Sequence, residues 1–361
     1  HSIGKTPTLK RQSRESSAAV EFILDGDTVL ESENYIERIV EQLYKGAGIA
    51  SACGTVRPHR DRDRHAMLET DALKKFLGAH PEATIYPKVG WFHHLQRGIT
   101  DLYRDVLYFF LQKFVYHGQM VFFGGTLNPV GCAVAYRRDV LKAIVFDHYE
   151  PILGDDLTNS EDIFIGFAMN DHGYRNIQLT DIYARSQEPE VGRVPGQIYL
   201  WSSSFLQSCY YFDELLRSPF KALKRYRRKK EEQAELVSGL ANKRVHHEQY
   251  RQAFGIDYTV KYGRPIGWVL FMSAFEKVAF PTVLLIMILL RLWEPLLITL
   301  VAETALATAI LVIVAKGHRL EYLLKGLLVT PLRYGVLLFD LITIGRFAAD
   351  LWIFRNRRWR K

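Results

Sequence analysis

The spacing of hydrophobic residues changes near Pro265 and divides the chain into two parts. In the first part, short β-rich runs at residues 20–24 and 49–56 alternate with helical patterns such as the one at residues 35–43. Strands that alternate with helices are typical of an open α/β sheet. In the second part, long apolar runs follow one another, as expected for helices that cross a membrane. We therefore expect an α/β domain followed by a membrane region.

Two runs in the second part are long enough to span a membrane, residues 267–290 and 295–315. The first contains Glu276 and Lys277, which we expect to pair or to face a protein-lined channel, because bare charges in lipid are costly. A further hydrophobic segment, residues 322–354, is too long for one span and too short for two, and it contains a proline and several charged residues. We expect this segment to be interfacial or re-entrant.

The chain has a formal net charge of +8, and most of the excess comes from residues 221–230 and 355–361. Nucleic-acid binding is one interpretation, but beside hydrophobic spans such clusters more often mark cytoplasmic flanks that face anionic lipid. We therefore expect membrane lipid and no nucleic acid as a partner, and a multi-pass protein of the cell (inner) membrane with a cytoplasmic α/β domain. The cysteines Cys53, Cys132 and Cys209 are far apart, which fits a reducing compartment.

The connecting regions differ in composition. Residues 57–64 are highly charged, which is typical of an exposed loop. Residues 66–120 have helical patterns rich in aromatic side chains and predict a helical insertion. Residues 197–224 combine apolar and aromatic residues with a basic end, which fits equally a helix in the membrane interface or a packed amphipathic core helix. Residues 231–252 are polar throughout and indicate a solvated helix or linker.

Two carboxylates follow the strand predicted at residues 20–24, in the sequence Asp25-Gly26-Asp27. Open α/β sheets place ligands at the carboxyl ends of their strands. Two carboxylates one residue apart can share a Mg²⁺ or Mn²⁺ ion bound to a diphosphate, because hard cations take oxygen ligands. An Asp-Gly turn of no special function is an equally supported interpretation.

A second acidic stretch, residues 154–162, ends in Ser160-Glu161-Asp162 and is followed by apolar residues at helical spacing. This pattern predicts a helix that begins at Ser160, with Glu161 and Asp162 in its first turn. The positive end of the helix dipole helps to keep such a carboxylate ionised, which suits a general base. The alternative is a helix cap followed by a solvated acidic loop.

Four motifs occur in the order found in family 2 glycosyltransferases: Asp25-Gly26-Asp27, Gly131-Cys132-Ala133 before Arg137-Arg138, Ser160-Glu161-Asp162, and Gln197-x-x-Leu200-Trp201. More narrowly, they resemble the membrane-embedded polysaccharide synthases of the cellulose, hyaluronan, chitin and alginate type. The resemblance implies an α/β, Rossmann-like domain of the GT-A type over residues 1–205, an interfacial helix and charged linker over 206–264, and a membrane region over 265–361.

On the donor side, the resemblance implies that Asp25 and Asp27 hold the nucleotide diphosphate through Mg²⁺ or Mn²⁺. Gly4-Lys5 resembles the Gly-Lys before that strand, so Lys5 would also lie at the nucleotide. The donor would be a UDP- or GDP-sugar. Because the chain begins at His1 and reaches its first strand by residue 20, we expect the first half of the nucleotide-binding fold to lie upstream of this sequence.

On the acceptor side, the resemblance implies that Asp162 is the general base and that Glu161 supports it. Four residues would bind the substrate there: Gly131, Cys132, Gln197 and Trp201. Leu200 stands where the family has an arginine. This departure implies altered substrate handling, compensation by a neighbour such as Arg193, or lost activity.

Together these features predict a membrane-bound, inverting glycosyltransferase that extends a polysaccharide at the cytoplasmic face. Two alternatives stay open from the sequence. In the first, the same chemistry adds a single sugar to a lipid acceptor. In the second, the chain is a catalytically degenerate membrane scaffold, as the substitution at Leu200 suggests.

Overall fold

The structure is a computed structural model that describes residues 5–83, 90–149, 160–237 and 254–355. Five of the sequence features above lie wholly or partly outside these ranges: Gly4, residues 84–89 of the helical insertion predicted at 66–120, residues 154–159 of the acidic stretch, most of the linker 231–252, and most of the C-terminal basic cluster. The described residues form a mixed α/β domain followed by three long apolar helices.

The α/β domain contains a five-stranded sheet in the order β1-β4-β3-β5-β2. Its strands are β1 Val20–Leu24, β2 Thr28–Leu30, β3 Ile49–Pro58, β4 Ala133–Arg137 and β5 Arg175–Ser186. β3 and β5 pair in parallel, and the other neighbours pair antiparallel. The β-α-β unit predicted before residue 56 is therefore split, since β4 lies between β1 and β3.

β1 and β2 lie at opposite edges of this sheet, although only Asp25-Gly26-Asp27 connects them. Five strands spaced about 4.8 Å apart would separate the edges of a flat sheet by roughly 19 Å. The four residue steps from Leu24 to Thr28 span at most about 14 Å. The sheet must therefore curl, and the acidic connection crosses over its strand ends.

Helices cover both faces of the sheet. Up to the membrane half they are α1 Lys5–Glu15, α2 Tyr35–Tyr44, α3 Asp61–Leu68, α4 Asp71–Ala79, α5 Trp91–Phe110, α6 His117–Phe123, α7 Arg138–Leu141, α8 Glu161–Asp171, α9 Val194–Tyr211, α10 Asp213–Leu216, α11 Ala222–Val237 and α12 Ile256–Tyr262. A π-helical segment, Leu111–Tyr116, joins α5 to α6, and another, Lys142–Tyr149, follows α7.

The core has two layers because β3 buries residues on both of its faces. On one face, Ile49 and Ala52 pack with α2 through Tyr35 and Ile39. On the other face, the side chains come from β3, β4, α1, α7 and α8 and from the start of the membrane half, and include Ala50, Cys53, Val134, Leu9, Leu141, Phe164, Phe167 and Leu270. An apolar strand buried on both faces is typical of a sheet covered by helices on both sides.

The prediction of an exposed loop at residues 57–64 is wrong. β3 continues to Pro58, α3 begins at Asp61, and Arg64 is only 6% exposed. The Arg64 side chain donates a hydrogen bond to the carbonyl of His59 and lies 3.4 Å from Asp61. A high density of charge suggested exposure, but an arginine can bury its stem when its guanidinium is paired.

The stretch 197–224 is not one continuous helix. α9 ends at Tyr211, the short α10 follows, and a 3₁₀ turn at Ser218–Lys221 precedes the basic helix α11. Pro219 lies at the start of that turn, where the missing backbone N–H of proline is tolerated.

The C-terminal part contains the helices α13 Gly267–Leu289, α14 Trp293–Val314 and α15 Arg319–Ala348. By length and composition all three are able to cross a membrane, and the helical path of the third continues to Ile353. The residues 322–354 thus form one long helix and not a re-entrant turn, while the interfacial arrangement stays a prediction. At about 1.5 Å per residue this helix exceeds the roughly 30 Å hydrocarbon core.

Two ion pairs join these helices to one another. Lys277 of α13 lies 2.8 Å from Asp340 of α15 and not, as considered from the sequence, against its neighbour Glu276. Arg333 of α15 donates two hydrogen bonds to Glu303 of α14. Each pair neutralises charges that would be costly in lipid, which explains how a charged segment stays helical.

Candidate active site

The structure brings four parts of the sequence together in one acidic cluster: Lys5, Asp25, Gly131 and the pair Glu161-Asp162. The ammonium group of Lys5 lies 2.8 Å from Asp25 Oδ1 and 2.6 Å from Glu161 Oε1. It also donates a hydrogen bond of 3.2 Å to the carbonyl of Gly131. The backbone N–H of Gly131 in turn donates to Asp162 Oδ2 at 3.2 Å.

Strand pairing places Asp25 in this cluster. Leu24 of β1 is opposite Ala133 of β4, and one step further the backbone N–H of Asp25 donates to the carbonyl of Cys132 at 2.9 Å. Cys132 therefore lies directly beside Asp25, and Gly131 precedes it. A turn closed by the N–H of Thr28 on the carbonyl of Asp25 then leads the chain away.

The helix start predicted at Ser160 is confirmed, and it supplies the other two carboxylates. Ser160 precedes α8 as the N-cap residue, although its side chain makes no capping hydrogen bond. Its carbonyl accepts a hydrogen bond from the hydroxyl of Ser204 on α9. Buried side chains of α8, such as Phe164 and Phe167, hold the helix in the core. Glu161 and Asp162 are thus carried by a rigid element.

The surroundings in this cluster raise the pKa of both Asp162 and Lys5. Burial and the charge of Glu161 together raise the pKa of Asp162 to about 7, against the lowering effect of Lys5 and of two backbone N–H groups. Burial lowers the pKa of Lys5, but Glu161 and Asp25 outweigh this effect and hold it above its usual value. Asp162 can therefore exchange a proton near neutral pH while Lys5 remains a cation.

Gly131 is required at its position by close packing. A Cβ atom there would lie 2.7 Å from the side chain of Asp162, which is closer than real Cβ contacts. Only glycine lets the backbone approach the carboxylate closely enough to donate its N–H.

Asp27 lies further along the connection between the two edge strands. Its Oδ1 accepts a hydrogen bond from the hydroxyl of Thr28 at 3.3 Å, and its carbonyl accepts one from the N–H of Gln187. The side chains of Asp25 and Asp27 therefore flank the end of β1 and the start of β2.

Within the described ranges, no group of three or more His, Cys, Asp or Glu side chains is arranged to hold a metal by itself. Mg²⁺ is usually bound by one or two carboxylates and completed by waters and substrate phosphates. Asp25, whose side chain is 35% exposed and has only Oδ1 engaged by Lys5, and the adjacent Asp27 fit that second arrangement. They fit a metal together with phosphate oxygens and not a closed protein site.

The Gln197-to-Trp201 motif belongs to a second cluster, which we call the arginine cluster because Arg104 lies at its centre. Arg104 of α5 lies 3.3 Å from Glu188, donates to Gln197 Oε1 at 2.5 Å, and places its guanidinium 4.5 Å from the centre of the Trp201 ring. Arg104 and Glu188 are 1% and 2% exposed. Arg104 thus joins both ends of the Gln197-to-Trp201 motif.

This arginine cluster bears on the substitution at Leu200. The cation beside Gln197 and Trp201 comes from α5 and not from Arg193, the neighbour considered from the sequence. Burial raises the pKa of Glu188 to about 7, against the lowering effect of Arg104. The charge of Asp27 also raises the pKa of Glu188, so the connection between β1 and β2 is electrostatically linked to Arg104 and Glu188.

Nothing in the linear sequence marked Arg104, because it belongs to an aromatic-rich helical stretch with no motif. The available signal was weak: an arginine with Tyr103 before it and Tyr108 four residues on, within a helical pattern.

No protein-family model matches this chain, and no curated protein matches it. Among solved structures, the chain is similar to a mannosyltransferase from Pyrobaculum calidifontis in complex with GDP-Man and Mn²⁺. The identity is 14%, the alignment covers 98% of this chain and 68% of that chain, and the TM-score is 0.39. A likeness at this level does not assign a function to the chain.

Proposed function

We propose that this chain is a membrane-bound, inverting glycosyltransferase that transfers a sugar from a UDP- or GDP-sugar to a growing polysaccharide at the cytoplasmic face. The observation that carries the proposal is the convergence of Lys5, Asp25, Gly131, Glu161 and Asp162. They come from four distant parts of the sequence, and the motif order alone did not require them to touch.

Asp162 is the proposed general base. Its pKa of about 7 lets it take the proton of an acceptor hydroxyl near neutral pH. As that O–H bond breaks, the acceptor oxygen bonds to the anomeric carbon of the donor, and the bond from this carbon to the nucleoside diphosphate breaks with its electron pair on the leaving group. The displacement inverts the anomeric centre. Gly131 holds the carboxylate in place through its N–H.

Lys5 is the fixed cation of the proposed donor side. Its raised pKa keeps it charged, so it can attract the diphosphate while Asp25 and Glu161 orient it. Asp25 and Asp27 would hold a Mg²⁺ or Mn²⁺ ion shared with the diphosphate. When bound, the ion supplies positive charge that stabilises the leaving group.

The arginine cluster supports the acceptor side of the proposal. Arg104 places a buried guanidinium between Gln197 and Trp201, where the Gln-x-x-Leu-Trp sequence itself offers no cation. Because Arg104 is itself 1% exposed, it would hold Gln197 and Trp201 in position, and these two half-buried side chains would contact the sugar. This arrangement favours an active transferase over the degenerate scaffold.

A single-sugar transfer to a lipid acceptor is the second candidate, and one observation favours it. The hydroxyl of Ser202 on α9, next to Trp201, contacts Lys277 of α13 and Asp340 of α15. The helix with the acceptor motif is therefore attached to two of the helices that are able to span a membrane. The length of the product separates the two candidates.

The test is the release of nucleoside diphosphate by the full chain in neutral detergent with Mg²⁺ or Mn²⁺, across a panel of sugar nucleotides. Asp162→Asn is the critical variant. Asp139→Asn is its control, because Asp139 is an aspartate on the surface of α7 with a side chain that is 64% exposed. We expect release with one donor, its loss in Asp162→Asn, and no change in Asp139→Asn.

Release that persists in Asp162→Asn would show that another group is the base. If the unchanged chain releases no nucleoside diphosphate from any donor, the transferase is refuted and the scaffold remains.

A further inference from the structure

A second cavity, of about 410 Å³, lies away from the acidic cluster, and none of that cluster's residues line it. Its walls are the end of β3, one side of α5 with the following π-helical segment, and the first turns of α15. We call it the basic pocket because six cations line it: Arg57, Arg60, Arg62, Lys113, Arg185 and Lys325.

Four of these cations are compensated by carboxylates. Asp105 of α5 lies 2.8 Å from Arg60 and 2.6 Å from Lys325, and Lys325 also contacts Glu321. Three further ion pairs join Arg185 to Glu31 and to Asp63, and Arg62 to Asp63. These contacts fix the walls of the pocket and attach the α/β domain to the start of α15.

Arg57 and Lys113 form no ion pair with any residue in the described part of the chain. The guanidinium of Arg57 lies 3.9 Å above the ring of Tyr183. Burial lowers the pKa of Lys113, and the neighbouring charge of Arg57 lowers it further. Two cations held near each other without a counterion are an unfavourable arrangement unless an anion binds between them.

The composition of the pocket favours a phosphate group over a carboxylate. Of the two cations without an ion pair among the described residues, Arg57 has a planar fork that binds two phosphate oxygens at once. The volume is within the range of small-molecule sites. One wall of the pocket consists of residues between His318 and Lys325, at the start of α15. Because α15 is the third helix able to cross a membrane, this wall would lie at the membrane surface.

We propose that the basic pocket is a phosphate-binding site in which Arg57 and Lys113 hold the anion between β3, α5 and α15. The phosphate belongs either to a soluble pyrophosphate-like ligand or to the headgroup of an anionic lipid. The site goes beyond the proposed sugar transfer and is independent of it, because it shares no residue with the acidic cluster.

The experiment measures binding to the full chain in neutral detergent with EDTA present, so that metal-dependent binding at Asp25 and Asp27 does not contribute. Inorganic pyrophosphate, followed by titration calorimetry, is the soluble probe. Phosphatidic acid, followed by native mass spectrometry against diacylglycerol as the phosphate-free lipid, is the membrane probe. The variants are Arg57→Gln and Lys113→Gln. The control is Arg11→Gln, which removes an equal charge from a side chain 69% exposed on α1.

We expect at least one probe to bind, with its affinity reduced about tenfold in each pocket variant, as is typical when one hydrogen bond to a charged group is lost. Arg11→Gln should bind as the unchanged chain does. Pyrophosphate binding alone would identify a soluble ligand, and phosphatidic acid binding alone a lipid headgroup. Binding of neither probe, or equal losses in Arg57→Gln and Arg11→Gln, would overturn the proposal.

Discussion

The buried carboxyl of Asp162 should make the protein less stable at alkaline pH, and Asp162→Asn should remove that effect. The ordinary pKa of an aspartate is 3.8, and burial beside Glu161 raises that of Asp162 to about 7. A folded-state pKa above the unfolded value means that the folded protein binds the proton more tightly. The free energy of unfolding therefore falls as pH rises from about 4 to about 7, and it stays low above that pH.

The size of the effect follows from the pKa values. One pKa unit corresponds to about 1.4 kcal/mol. Between pH 5 and pH 8.5 the penalty on the folded state should therefore grow by about 3 kcal/mol. The neutral side chain of Asp162→Asn is free of it and can still accept the N–H of Gly131. At an unfolding entropy of about 2.1 cal/mol/K per residue, the difference corresponds in a chain of 361 residues to a change in melting temperature of about 4 °C.

The assay is the melting temperature of the unchanged chain and of Asp162→Asn in one detergent, at pH 5 and at pH 8.5. Other groups that titrate in this range, Glu188 and Asp171 among them, contribute equally to both proteins and cancel in the difference. We expect the melting temperature of the variant, measured relative to that of the unchanged chain, to be higher at pH 8.5 than at pH 5. Asp139→Asn is the control, since its side chain is mostly exposed.

If the difference between Asp162→Asn and the unchanged chain is the same at both pH values, the reasoning is refuted. The carboxyl of Asp162 would then be solvated, or compensated by Lys5, in both conditions. Asp162 would then not be a base whose pKa lies near neutral pH.

Three further predictions concern the two clusters. Gly131→Ala should reduce sugar transfer about a hundredfold, because the new Cβ displaces the carboxylate of Asp162, whereas Gly98→Ala on α5, with open space around the new atom, should leave the initial rate unchanged. Arg104→Met should lower the free energy of unfolding, measured by denaturant titration, by about 3 kcal/mol, because it leaves the buried Glu188 unpaired. Adding Glu188→Gln should restore part of this loss. An equal loss in the double variant would contradict the explanation. Removal of divalent metal with EDTA should abolish transfer without lowering the melting temperature appreciably, and added Mn²⁺ or Mg²⁺ should restore it; transfer that continues in EDTA would exclude the metal.

Local patterns in the sequence were sufficient for several elements. The strand before Asp25 and the helix that begins after Ser160 were predicted correctly, because strand and helix signals depend on residues that are near one another in sequence. The two apolar runs after Pro265 were correctly predicted as long helices for the same reason. Hydropathy over such a length does not depend on what the helix packs against.

Contacts between distant parts of the chain decided the rest. Residues 322–354 form one helix because Arg333 and Asp340 find their partners on other helices, which a count of charges within the segment cannot reveal. Strand β4 separates β1 from β3 although it follows them by more than seventy residues. Arg104 reaches Gln197 and Trp201 from a helix with no motif of its own.

The sequence by itself thus determined which residues carry charge, which stretches are helix or strand, and where the apolar runs lie. Only the tertiary structure decided that Lys5, Asp25 and Glu161 meet, and that Arg57 and Lys113 line one pocket without an ion pair to any described residue. The physical reason is that helix and strand propensities act between residues close in sequence, whereas burial and charge pairing act between residues close in space.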